Sequence, residues 1–81
     1  MAEQEPTLNR ISALADEEHI LREREAQGPL PAADRLRLEE VELLLDQCWD
    51  LLRQRRARRN AGLDPDDAEV RDIDTVENYR Q

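Results

Sequence analysis

Phenylalanine and lysine are absent from this 81-residue chain, and cysteine, histidine, tryptophan and tyrosine occur once each. A single cysteine cannot form an internal disulfide, so nothing marks an oxidising compartment. No apolar run approaches the roughly 18 residues of a membrane span. The N-terminal Met1-Ala2-Glu3-Gln4-Glu5 also lacks the basic start of a secretory signal. A soluble, cytoplasmic protein is the expectation. The chain further lacks a Gly-rich phosphate loop, a CxxC pair, an HExxH motif and any Ser/His/Asp arrangement of recognisable spacing. Neither an enzyme nor a cofactor is therefore expected. Two glycines and four prolines, all near the ends of apolar-periodic segments, leave long helices as the natural reading.

Charge is what the chain has in abundance. Charged residues make up 40 % of it against 2 % aromatics, and the net charge is −8. That mix approaches the disordered class, but the apolar residues are clustered and periodic, as a folded chain requires. The acidic balance counts against general nucleic-acid binding and against an anionic membrane surface as a partner. All twelve basic residues are arginine, which reads as the codon bias of a GC-rich genome. At this length one domain is the upper limit.

Residues 1–6 are polar and are expected to be flexible. Residues 7–62 read as a helical hairpin with helices over about 7–27 and 32–60. Pro6 or Thr7 opens the first helix, as a first-turn proline or an N-cap. Leu8, Ile11, Leu14, Ala15 and Leu21 then define one helical face. Gly28-Pro29 ends it, with glycine predicted to supply a left-handed C-cap conformation.

The second helix starts around Pro31, with Asp34 in its first turn at the positive end of the helix dipole. Leu38, Val41, Leu45, Cys48, Leu52, Arg55 and Arg59 follow strict heptad spacing. Leu43, Leu44, Trp49 and Leu51 widen this stripe beyond what one neighbour can cover. The helix closes near Asn60-Ala61-Gly62. A loop of about three residues forces the two helices antiparallel. In the resulting register Leu21 meets Leu38, Leu14 meets Leu45, Ile11 meets Cys48 or Trp49, and Leu8 meets Leu51 or Leu52. Leu14, Leu21, Leu38, Val41, Leu45, Cys48, Trp49 and Leu52 form the expected core or interface.

Residues 63–81 read as an acidic tail with short helical turns. Asp64-Pro65 is an N-cap followed by proline at the first helical position. Asp74 and Glu77 are spaced to cap a last short helix, while Val70, Ile73, Val76 and Tyr79 offer a narrow apolar edge. The fold class is thus all-α: a coiled-coil-like hairpin with a short C-terminal helix or extended tail. The excess apolar surface of the second helix predicts a homodimer that forms a four-helix bundle.

Three groups have the right chemistry for a site. The run from Arg53 to Arg59 holds five arginines (Arg53, Arg55, Arg56, Arg58 and Arg59) and suits phosphates or an acidic protein partner. It also ends a helix, where cations complement the dipole, and antiparallel folding brings it near Glu3 and Glu5. No aromatics are interleaved for base stacking, which weakens the nucleic-acid reading. Asp16, Glu18 and His19 include the acid-x-x-His spacing of carboxylate-bridged metal bundles, but one histidine falls short of the two pairs such sites need. No metal site is expected there, and a structural role for the histidine takes precedence. Cys48 lacks an evident paired base and reads as a small core residue.

Glu17-Glu18-His19-x-Leu21-Arg22, the run Leu45-Asp46-Gln47-Cys48-Trp49-Asp50-Leu51-Leu52-Arg53-Gln54-Arg55-Arg56-Ala57-Arg58-Arg59, and Gly62-Leu63-Asp64-Pro65 carry a resemblance. With Val70-Arg71 and Val76-Glu77-x-Tyr79, they resemble the short actinobacterial proteins grouped as Domain of Unknown Function 2630. The likeness covers nearly the whole chain. It departs at Leu30-Pro31-Ala32-Ala33, where the family has Ser-Pro-Glu-Glu and an N-cap hydroxyl, and at Val70-Arg71-Asp72, where it has Val-Arg-Pro. The resemblance implies a cytoplasmic actinobacterial protein and brings no activity with it. The leading expectation is a non-enzymatic interaction protein. A nucleic-acid-associated regulator using the Arg53–Arg59 cluster comes second, and a metal-binding bundle last.

Overall fold

The structure, a computed structural model, describes the backbone of residues 4–80 and the side chains of residues 6–77. Helix α1 (Gln4–Gln27) and helix α2 (Ala32–Asn60) form the expected antiparallel hairpin. A 3-10 turn (Pro65–Asp67) and a short helix α3 (Ile73–Arg80) follow, with no strand among the described residues. The hairpin packs α1 on one side of α2, and the tail packs on the other. The Cα envelope measures 49 × 27 × 15 Å. No helix among the described residues is long and apolar enough to cross a membrane.

Core placement follows the two stripes. Ile11 and Leu14 of α1 bury against Val41, Leu45 and Cys48 of α2, with Leu44 and Leu52 partly buried beside them. Leu21 and Leu38 form a second cluster at the loop end, closed by Leu30. Leu30 sits between two prolines in the connection, where periodicity gives no signal. Rim pairs hold the register: Arg37 makes a bidentate contact to Glu17 (2.6 and 2.8 Å), and Arg22 reaches Glu42 (3.0 Å). Such half-exposed pairs contribute up to about 1 kcal/mol each. The hydrogen bonds from Arg37 hold the Glu17 carboxyl below its ordinary pKa.

Several local expectations need correction. Helix α1 is already formed at Gln4, so residues 4–6 make a helical turn; Met1–Glu3 lie outside the described residues. Pro6 is tolerated because a first-turn N–H has no intrahelical partner. Thr7 is therefore not an N-cap; its hydroxyl accepts from Arg55 Nη1 across the hairpin (3.1 Å). Gly28 does not take the left-handed conformation. It precedes Pro29, and a residue before proline is driven toward extended backbone. Leu8 is not core, being 48 % exposed; Trp49, expected in the core or an interface, is 47 % exposed and so lies outside the core. One step around the helix from Cys48 carries Trp49 past the part of α2 that α1 covers.

Glycine does supply the left-handed turn at the end of α2, where Gly62 has φ 75°. Leu63 N–H donates to the Arg58 carbonyl (2.7 Å) and Gly62 N–H to the Arg59 carbonyl (3.1 Å), the paired bonds of a Schellman cap. Gly62→Ala has room for its Cβ but not the backbone preference. It is expected to cost about 1 kcal/mol, read as a lower urea midpoint at unchanged slope. At the start of α2, Pro31 occupies the N-cap and provides no side-chain acceptor.

In the tail, Asp64 accepts from Asp66 N–H (2.9 Å) and Pro65 opens the 3-10 turn, as the sequence indicates. The cap of α3 is Asp72, not the Asp74/Glu77 pair: its carboxylate accepts the Thr75 N–H (2.8 Å) and the Thr75 hydroxyl (3.1 Å). Asp72 immediately precedes Ile73 and so stands one residue outside the helix, where a side-chain acceptor reaches the orphan N–H groups. Of the expected apolar edge, Val76 is buried, Ile73 half-buried and Val70 exposed. The Tyr79 side chain lies outside the described residues.

Candidate functional site

The densest polar constellation lies on the side of α2 facing away from α1. Gln47, Asp50 and Gln54 follow at helical spacing and face the tail. Asp50 has no exposed surface. Arg71 donates to it from both Nε (2.8 Å to Oδ2) and Nη2, and Gln54 Nε2 donates to Oδ2 (2.9 Å). The same Gln54 amide donates to the Glu69 carbonyl (2.7 Å), and Gln47 Nε2 to the Arg71 carbonyl (3.0 Å). Arg53 adds a longer contact to Asp50 at 3.8 Å. Hydrogen bonds from Arg71, then from Gln54, hold the Asp50 carboxyl below its ordinary pKa despite burial.

This geometry makes a clasp. Both oxygens of Asp50 are engaged by cations or amides, so the group stays ionised and holds the irregular stretch before α3 in place. A carboxylate that acts as a general base needs a raised pKa and an approachable oxygen, and Asp50 has neither. Sequence reading passed over this site because a lone aspartate between apolar and basic residues looks like a solvated position. The available signal was its spacing: Gln47, Asp50 and Gln54 share a face, and Arg71 lies in an acidic tail that holds only one other arginine, Arg80. These same positions also fall within the segments that carry the family resemblance.

The Arg53–Arg59 run does not form one patch. Arg53 leans toward Asp50, and Arg55 crosses to Thr7, leaving its Nε buried without a hydrogen bond. Arg58 contributes its carbonyl to the helix cap, and Arg59 is engaged as well. Arg56 is exposed. Whether Glu3 or Glu5 neutralises the run falls outside the described side chains. Consecutive residues point around the helix at about 100° steps, so the continuous charge seen in sequence becomes several separate directions.

Asp16 and His19 are exposed and Glu18 is half-buried. His19 Nε2 lies 3.1 Å from Glu23 on the outer surface of α1. Among the described residues no group of three or more His, Cys, Asp or Glu gathers as metal ligands. Cys48 is buried in the main cluster and also edges a cleft of about 210 Å³. Arg10 and Gln47 are the polar groups with the longest reach there, and neither is a base for a thiol. A second groove, of about 300 Å³, runs along the opposite edge of the hairpin between Glu18, Glu42, Leu45, Asp46 and Trp49.

The chain belongs to the family described as Protein of unknown function (DUF2630), which it matches over residues 3–81. It is 47 % identical over 74 residues to the uncharacterized protein Rv0898c of Mycobacterium tuberculosis, covering 90 % of this chain and 85 % of the relative. The uncharacterized protein Mb0922c of Mycobacterium bovis matches with the same identity and coverage. No solved structure matches.

Proposed function

We propose that this member of the DUF2630 family is a non-enzymatic helical-bundle protein that works by self-association and protein–protein contact. The observation that supports the reading is the position of Trp49: its neighbours Leu45 and Cys48 are buried, while the indole is 47 % exposed. A tryptophan left half in water suits an interface anchor, because its large rigid surface gains most when a partner covers it. Leu8 is exposed to a similar degree. Single exposed leucines are ordinary, so Leu8 alone would carry little weight.

Sedimentation equilibrium or light scattering across the micromolar range tests the reading. A mass near twice 9.5 kDa is expected. A well-folded monomer throughout that range would overturn it.

A further inference from the structure

One strip of α2 has a charge order that matches its own reverse. Glu42, Asp46, Trp49, Arg53 and Arg56 recur at alternating steps of four and three residues, which is one helix face. The strip is acidic before Trp49 and basic after it. Trp49, Arg53 and Arg56 are exposed, and Glu42 and Asp46 are half-exposed. It borders the groove that Glu18 and Leu45 also line, along the edge of the hairpin opposite the Cys48 cleft. On α1, Leu8, Ala15 and Arg22 follow at seven-residue spacing, and Arg22 reaches Glu42. That contact places Leu8 on the same edge and adds apolar surface beside the indole.

Resting on the self-association reading above, we propose that this strip is the dimer interface and that a second copy of the chain lies across it antiparallel, about a two-fold axis at Trp49. A two-fold contact uses the same patch on both copies, so the patch must complement itself when reversed. Reversal about Trp49 sets Glu42 of one copy opposite Arg56 of the other and Asp46 opposite Leu52 and Arg53. Both charge pairs occur twice, and the two indoles meet at the centre with Leu45 and Leu8 on their flanks. A parallel arrangement would instead stack Glu42 on Glu42 and Arg56 on Arg56, and like charges face to face oppose association. The net charge of −8 makes indiscriminate pairing of two copies unfavourable, so the half-acidic, half-basic strip also sets the register.

The test uses two charge reversals and the chain's own single tryptophan. Arg56→Glu alone should weaken the dimer about tenfold, and so should Glu42→Arg alone, because each creates two like-charge contacts. An equimolar mixture of the two variants should recover wild-type association, since in the mixed dimer both contacts are again opposite in sign. Circular dichroism of each variant confirms the helical fold. In the unmodified protein, Trp49 emission should shift to longer wavelength on dilution, in step with the fall in mass. A wild-type dimer whose two variants associate normally, or whose emission stays constant on dilution, would overturn the strip and leave self-association standing. A wild-type monomer at every concentration would overturn both.

Discussion

Val41→Asp is expected to abolish the cooperative unfolding transition, leaving a chain with weak helical signal at 25 °C and neutral pH. Val41 has no exposed surface and sits among Ile11, Leu14, Leu45 and Cys48, where α1 and α2 come together. None of these neighbours can donate a hydrogen bond of any strength to a carboxylate. Burying one without a partner costs several kcal/mol, and a small domain has only about 5 kcal/mol to lose. Val41→Ala provides the graded comparison. It removes two methyl groups, costs about 2 kcal/mol, and should lower the thermal midpoint by roughly 10 °C while keeping the transition cooperative. Both proteins must be compared at one concentration, because self-association couples the midpoint to mass action. A Val41→Asp variant that melts like the wild type would mean that the two stripes do not meet at Val41.

That hairpin was readable from the sequence because two periodic stripes, interrupted by Gly28-Pro29, had to face each other. Pairing Leu14 with Leu45 and Leu21 with Leu38 needed only the heptad spacing and a short loop, and the clusters contain both pairs. Trp49 and Leu8 lie outside the core for one shared reason. Hydrophobicity records what a residue would gain from burial, not whether the single neighbouring helix is wide enough to provide it. The caps divide similarly. Gly62 and Asp64 act as their residue types suggest, whereas Gly28 is overruled by the proline after it, and the cap of α3 falls to Asp72. Asp72 and Asp74 are equivalent as residue types, and only the tertiary position of the tail chooses between them.

The clasp was the least legible feature, because its partners lie 21 residues apart and no periodicity links them. An arginine in an acidic tail has many local carboxylates to choose from. Arg71 instead turns inward to Asp50, where its two parallel hydrogen bonds match the carboxylate fork and where water competes less. Gln47 and Gln54 complete the arrangement by binding main-chain carbonyls of the tail, so three side chains of α2 fix an irregular segment that has little apolar anchorage. Val76, in the α3 that follows, is the buried peg of the tail. The tail is therefore held mainly by polar contacts, and its attachment should respond to charge more than the hairpin does.

Asp50→Asn should accordingly loosen the tail first. Asparagine keeps the shape but withdraws the charge that Arg71 is bound to, and it offers Arg71 one acceptor oxygen in place of two. The loss at pH 7 is expected to be about 2 kcal/mol. It falls below that of a deeply buried pair because the Arg71 side chain covering Asp50 is itself 33 % exposed. Hydrogen exchange should rise most over residues 72–80, with smaller changes in the amides of α1. The sign of the pH dependence follows from the lowered carboxyl pKa of Asp50. As pH falls, the unfolded chain takes up this proton first, near the ordinary aspartate value of about 4. The stabilisation from ionised Asp50 is therefore complete above that pH and disappears as pH drops through the lower, folded value. Glu17 and Asp72 also have lowered carboxyl pKa values and lose stabilisation in acid, but both are present in the two proteins and cancel in the difference. The gap between wild type and Asp50→Asn should thus be constant near neutrality and close in acid. A gap that persisted unchanged at pH 2 would assign the loss to packing and not to the Asp50–Arg71 charge pair.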